Sequence, residues 1–219
     1  MNRGTIIAGL VAVAGLALAA GYLASRHLAP AGSQGPAAPA SAPASAPATA
    51  RAIPDTRPEF SLVDSNGVRR SISEWDGQPL LINFWATWCP PCRREIPLLN
   101  SLRKEYGPRG FEVIGIAVDF RDDVLAYMKS TPIDYPMLIG EQDGIDVAGA
   151  FGVNDIYYPF TVFTDRRGRV VTIKVGELHA REAKSILATV SDVDAGWLTI
   201  DAARARIRAQ LAAMSPGRG

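Results

Sequence analysis

Cys89 and Cys92 are the only cysteines in a chain of 219 residues, and they lie in the run Phe84-Trp85-Ala86-Thr87-Trp88-Cys89-Pro90-Pro91-Cys92. Leu80–Trp85, which leads into the run, is apolar at every position but Asn83, as expected of a strand covered on both faces. From Cys92 to Tyr106 the spacing is helical, and Gly107, Pro108 and Gly110 end it. The pair must therefore sit where a buried strand passes into a helix. Two cysteines cannot build a disulfide scaffold, and a loop this short adds little chain-entropy stabilisation. The pair is read as chemistry rather than as a staple.

The flanking sequence predicts the fold class. Glu59–Val63 and Val68–Ile72 flank Asp64-Ser65-Asn66-Gly67, a strong hairpin signal. Phe111–Val118 reads as a second buried strand, and Asp122–Ser130 as a helix stopped by Thr131-Pro132. A short extended piece at Tyr135–Ile139 and a short helix at Asp143–Phe151 come next. Thr161–Thr164 and Val170–Val175 read as strands joined by the turn Asp165-Arg166-Arg167-Gly168, and Ala180–Val190 as a helix. Hairpin, strand-helix-strand-helix, hairpin and helix imply an α/β domain: a central mixed sheet with helices on both faces. The chain is 47% hydrophobic, enough for such a core, and its net charge of +1 comes without a basic stripe, so no nucleic-acid partner is expected.

Four segments are expected. Ile6–Leu23 is apolar over 18 residues, just long enough to span a bilayer, with Arg3 before it and Arg26 after it. Residues 1–27 read as a retained membrane anchor; a signal cleaved near Ala17-Leu18-Ala19 is the competing reading. Both readings export the rest of the chain. Residues 28–54 are almost wholly Ala, Pro, Ser and Gly, with no apolar periodicity to order them. Proline keeps such a tether extended at about 3.1 Å per residue. Residues 55–190 form the folded domain. Residues 191–219 form a helical extension, in which Asp201–Met214 carries Ile207 and Leu211 on one side and reads as an amphipathic packing helix.

The thiolate is the reactive form of cysteine. Cys89 at a helix start would have its thiolate favoured by free backbone N–H groups and by the helix dipole. Pro90 and Pro91 suit the first helical positions, since they lack a donor and have φ preset. Cys89 is therefore expected to be exposed, to have a lowered pKa and to attack first, with Cys92 deeper and resolving the mixed disulfide. Trp88 would shield the pair or form part of a docking surface. A structural zinc site needs four ligands, and His27 and His179 are far from the pair in sequence. No bound cofactor is expected, the cysteine pair being the redox centre. Copper(I), which accepts two thiolates, is the alternative ligand.

Phe84–Cys92 resembles the active-site stretch of thioredoxin-like proteins, and more specifically the TlpA-like branch. Those are exported, membrane-anchored thiol–disulfide oxidoreductases that include the cytochrome c maturation reductases. The hairpin Phe60–Ile72, Trp75-Asp76-Gly77, Phe151-Gly152-Val153 and the run Pro159–Asp165 resemble the same branch. The likeness covers roughly Pro58 to Val190. It implies a thioredoxin-like fold, with Cys89 as nucleophile and Cys92 as resolving thiol, and a cis-proline facing them at Tyr158-Pro159. Trp88, Pro90, Tyr158 and Pro159 become the candidate substrate contacts. Disulfide-bearing proteins become the substrates, a transmembrane thiol donor the source of electrons, and the periplasmic face of a bacterial inner membrane the location. Two departures stand out. Thioredoxin has a buried Asp where this chain has Asn83, which cannot titrate, and Asp119 is the candidate substitute as a proton relay. Phe160 stands where Thr commonly follows the cis-proline.

Overall fold

The strand that ends at the cysteine run, β3 (Leu80–Trp85), is buried at all six positions because it is flanked on both edges and covered on both faces. β4 (Glu112–Val118) pairs with it in parallel, and β6 (Phe160–Thr164) pairs antiparallel on the other edge. Asn83 is thereby opposite Gly115 on one side and Thr161 on the other. The other described strands are β1 (Ser61–Asp64), β2 (Arg69–Ser71), β5 (Met137–Gly140) and β7 (Val170–Val175). The order across the sheet is β2-β1-β5-β4-β3-β6-β7. This is the mixed sheet expected from the sequence, with the predicted hairpin incorporated through antiparallel pairing of β1 with β5. The structure is a computed structural model and describes residues 53–153 and 157–214. The apolar run at 6–23 and the Ala/Pro-rich stretch at 28–52 lie outside the described residues. Among those described, no helix is long and apolar enough to cross a membrane.

Two turns use one device. Asp64 accepts from the backbone N–H groups of Asn66 (2.8 Å) and Val68 (2.9 Å), and Gly67 takes φ 85°. The Val68 bond is the leading cause that holds the Asp64 carboxyl below its ordinary range. Asp165 accepts from Arg167 (3.0 Å) and Arg169 (2.8 Å), and Gly168 takes φ 73°. In both, glycine supplies the left-handed backbone that a side chain would resist.

Among the described residues, five α-helices close the faces: α1 (Pro90–Tyr106), α2 (Arg121–Ser130), α3 (Gln142–Ala150), α4 (Ala180–Asp194) and α5 (Ile200–Met214). Strand alternation sorts the core. Leu81, Trp85, Val113 and Ala117 face a cluster with Ile96 and Leu99 of α1, Val124 of α2, Leu187 of α4 and Ile207 of α5. Ile82, Phe84, Ile114 and Ile116 face a second cluster with Leu62, Ile72, Trp75 and Val147. Each large side chain buried this way contributes roughly 1.5–3 kcal/mol. α1 continues through Pro97 as one element.

The carboxyl end differs from expectation at one point. α4 runs past its predicted end at Val190 as far as Asp194, because Val193 extends the buried stripe of Ile186, Leu187 and Val190. Position 191 therefore falls inside a helix. α5 packs as expected: Ala203 and Ile207 are buried in the same cluster as the cysteines. Its Arg204 donates to the carbonyl of Val170 (2.8 Å). On the same strand, Asp55–Arg57 lie along the start of β7. Val170 N–H donates to the Asp55 carbonyl (2.9 Å), Thr56 bridges to Arg169, and Arg57 N–H donates to the Gly168 carbonyl (2.7 Å).

Candidate active site

Cys89 is the N-cap of α1, with Pro90 and Pro91 as the first helical residues, as the sequence predicts. It is joined to Cys92 by a disulfide with Cα atoms 5.3 Å apart. The Cys92 N–H points at the Cys89 sulfur across 3.3 Å, so a free helix donor faces the place where thiolate charge would sit. The expectation of an exposed Cys89 fails: it is 3% exposed, against 0% for Cys92. Both cysteines belong to the buried cluster that includes Trp85, Ala86 and Ile96. The exposed member of the loop is instead Trp88, at 63%.

Trp88 starts an aromatic column that runs from surface to core. Its ring meets the edge of Tyr158 at 6.1 Å, Tyr158 stacks on Phe160 at 6.3 Å, and Phe160 stacks on Phe84 at 4.3 Å. The Tyr158–Pro159 peptide is cis. Pro159 is buried and Tyr158 half-buried, and burial pushes the Tyr158 phenol up to about 12. Phe160, in the place where Thr is the commoner residue, thus fills the column beneath Tyr158. Pro90 is exposed beside the pair. A groove of about 360 Å³ opens beside Trp88, lined also by Val118, Asp119, Phe120, Glu141 and Ile145.

Asp119 lies directly after β4. One carboxylate oxygen accepts from both the N–H (2.9 Å) and the hydroxyl (2.5 Å) of Thr87, and the other from Phe120 N–H (2.8 Å). It is bound to the loop that carries Trp88 and Cys89.

The buried acid that sequence reasoning missed is Glu95. It is three residues after Cys92 on the buried face of α1, and it is 2% exposed. Its carboxylate accepts from Asn83 Nδ2 (2.7 Å) and from Leu178 N–H (2.7 Å). Burial outweighs both bonds and pushes the carboxyl up to about 7. A group with that proton affinity can take up and return a proton near neutral pH. Gly115 shapes the same pocket. A Cβ there would come within 2.6 Å of the Met137 methyl and 2.9 Å of the Tyr135 ring, so glycine lets both pack over the strand position paired with Asn83. The available signal was a glutamate on the stripe Cys92-Ile96-Leu99, where an acid is out of place.

Among the described residues, no group of three or more His, Cys, Asp or Glu is placed to hold a metal ion. His179 caps α4.

Comparison with known proteins fits this geometry. Residues 53–173 match the profile of the AhpC/TSA family. The chain belongs to the AhpC/TSA family. Thiol-disulfide oxidoreductase ResA of Geobacillus thermodenitrificans is 32% identical over 140 residues, which cover 64% of this chain and 78% of that protein. Thioredoxin-like protein YneN of Bacillus subtilis is 33% identical over 136 residues, 59% of this chain and 75% of that protein. A solved thiol:disulfide interchange protein of the thioredoxin family from Chlorobium tepidum TLS superposes with a TM-score of 0.51 at 32% identity. That match covers 65% of this chain and 92% of that one. With this family and fold, and with the disulfide at the start of α1, the protein is a thioredoxin-like thiol–disulfide oxidoreductase. Its redox centre is the cysteine pair itself.

Proposed function

We propose that the protein reduces disulfides of other proteins on the periplasmic face of a bacterial inner membrane, apocytochrome c cysteines being one substrate class. The observation that carries this reading is the Cys89–Cys92 disulfide at the N-terminus of α1, with the buried acid Glu95 one turn further along. In the reduced form the Cys89 thiolate attacks a substrate disulfide. A mixed disulfide forms and one substrate thiol leaves. Glu95 takes the proton of Cys92, whose thiolate then attacks the Cys89 sulfur. The second substrate thiol leaves, and the Cys89–Cys92 disulfide closes with two electrons passed to the substrate. A transmembrane dithiol donor returns the pair to its reduced form. Trp88, Pro90, Tyr158 and Pro159 form the rim on which substrate rests, and the groove beside Trp88 has room for a segment of its chain.

The location rests on the sequence. Residues 1–27 serve as the anchor, 28–54 as the tether, 55–190 as the thioredoxin-like domain and 191–219 as its helical extension. Reduction, rather than oxidation, is supported by the resemblance to the cytochrome c maturation reductases.

The test is a Cys92→Ser trap in the full chain. Mixed disulfides through Cys89, recovered from membranes and identified by mass spectrometry, are expected to contain exported proteins with cysteine pairs. The reading is overturned if nothing is trapped while the reduced wild-type protein binds one copper(I) tightly through both thiolates.

A further inference from the structure

The pocket around Glu95 holds a polar atom that disulfide exchange does not use. Asn83 is 1% exposed. Its Nδ2 donates to Glu95 (2.7 Å) and to the hydroxyl of Thr161 (3.0 Å), while its Oδ1 has no hydrogen-bond partner among the described residues. Asn83 and Thr161 are directly opposite in the β3–β6 pairing, and Thr161 is fully buried. Both side chains are therefore fixed by the centre of the sheet.

A carboxamide has a donor end and an acceptor end of nearly the same shape. As it stands, the donor end faces Glu95, which suits an ionised carboxylate. With its proton on Oε1, the carboxyl donates at the atom that faces Asn83 and meets a second donor there, while Oε2 keeps accepting from the Leu178 N–H. Turning the amide half over would point its carbonyl at Glu95 and at Thr161 instead. A hydroxyl can donate or accept, so Thr161 fits either orientation. Among the described residues no other polar side chain is hydrogen-bonded to the amide, so none of them holds it in one orientation.

We propose that Asn83 is a positioning residue that follows the charge of Glu95. Its N–H faces the ionised carboxylate, its carbonyl faces the protonated carboxyl, and Thr161 reverses its hydrogen bond in step. This rests on the reading of Glu95 as the acid that serves Cys92. It explains how a buried acid can stay hydrogen-bonded in both charge states. An amide on the strand then complements an acid on the helix, where an acid on the strand would need a different partner. The other titratable and charged groups acting on Glu95 are Lys174 of β7, which favours the ionised form, and Glu177 in the following loop, which opposes it. Glu177 is itself paired with Arg94 (2.5 Å) and Lys174 with Glu182 (3.6 Å). Burial, with the charge of Glu95 added to it, pushes the Tyr135 phenol up and keeps it protonated. The cysteine pair on α1 is oxidised and does not titrate.

The test is NMR on the oxidised full chain between about pH 4 and 9, a range that brackets the titration of a buried carboxyl, with the Glu95 side-chain carbon and the Asn83 side-chain amide labelled. The Asn83 amide signals are expected to titrate with the Glu95 midpoint. Contacts from the Asn83 amide protons to Thr161 are expected at high pH and lost at low pH. In Glu95→Gln the Asn83 signals should no longer respond to pH. In Asn83→Leu, which removes a donor to the ionised form, the Glu95 midpoint should rise by about one unit, a tenfold gain in proton affinity. Asn83 signals that ignore the Glu95 midpoint, amide contacts that are the same at both ends of the range, or a response that persists in Glu95→Gln would each overturn the proposal. So would an unmoved midpoint in Asn83→Leu. Because none of these readouts needs disulfide exchange, their failure would leave the reductase reading standing.

Discussion

The carboxylate of Glu95 and the amide of Asn83 meet at 2.7 Å, tying the first turns of the reactive helix to the centre of the sheet. The resemblance to thioredoxin implies an acid on the strand at this place. Here the strand supplies the amide, and the acid comes from α1, on the same buried face as Cys92. The acid and the resolving cysteine therefore belong to one helix.

This placement has a consequence for stability. The Glu95 carboxyl titrates at about 7 in the folded chain, against an ordinary value of 4.5. Between those values the folded state holds a proton that the unfolded state has lost. The Glu95 contribution to stability is therefore complete below the lower value and is lost as pH rises through the upper one. Glu95→Gln should remove that slope and make the oxidised protein more stable than wild type at about pH 8, by about 1–3 kcal/mol, with a much smaller gain at about pH 5. Urea unfolding at the two pH values measures it, and parallel pH profiles for the two proteins would contradict it.

Asp119 separates two roles. If it were the proton relay, Asp119→Asn and Asp119→Ala would be equally damaging. Its bonds to Thr87 predict otherwise, because Asn keeps an acceptor for the loop and Ala does not. Asp119→Ala should lose about 1–3 kcal/mol of stability and slow reduction of a peptide disulfide. Asp119→Asn should retain most of the rate with an unshifted pH profile. A pH profile of kcat/KM for both variants decides between clamp and relay.

The carboxyl-terminal helix is predicted to be part of the cooperative fold. Ile207 is 1% exposed in the cluster that also holds Cys89 and Cys92. Ile207→Ala should cost about 2–4 kcal/mol in global urea unfolding. Arg208→Ala, at an exposed position, should stay within about 0.5 kcal/mol of wild type. Loss of helical signal at an unchanged global midpoint would show that α5 melts on its own.

Local signals carried most of the fold. Asp64 and Gly67, Asp165 and Gly168, and the apolar run of β3 each dictate their own geometry, so the elements appear in the sequence nearly where they stand in space. Tyr158-Pro159 could be placed because a distinctive strand and turn follow it. Glu95 carries only half a signal: its place on the stripe Cys92-Ile96-Leu99 is legible, but the partners that make its burial tolerable, Asn83 and the Leu178 N–H, come from distant segments and are visible only once strand and helix are docked. Likewise, the burial of Cys89 comes from its packing in a cluster with residues distant in sequence. The order of strands across the sheet, with β1 beside β5, is set by pairing between distant segments and leaves no local mark.

The short stretch Asp55–Arg57 and the guanidinium of Arg204 together occupy backbone groups at the start of β7, the last strand of the sheet. An outer strand with free backbone groups is a template for another chain, and pairing of that kind leads to aggregation. The first residues of the domain and a helix beyond its last predicted one thus act as a guard rail on one rim. A chain shortened to begin at Pro58 would keep its disulfide site and lose that protection, leaving the rim free to recruit copies of itself.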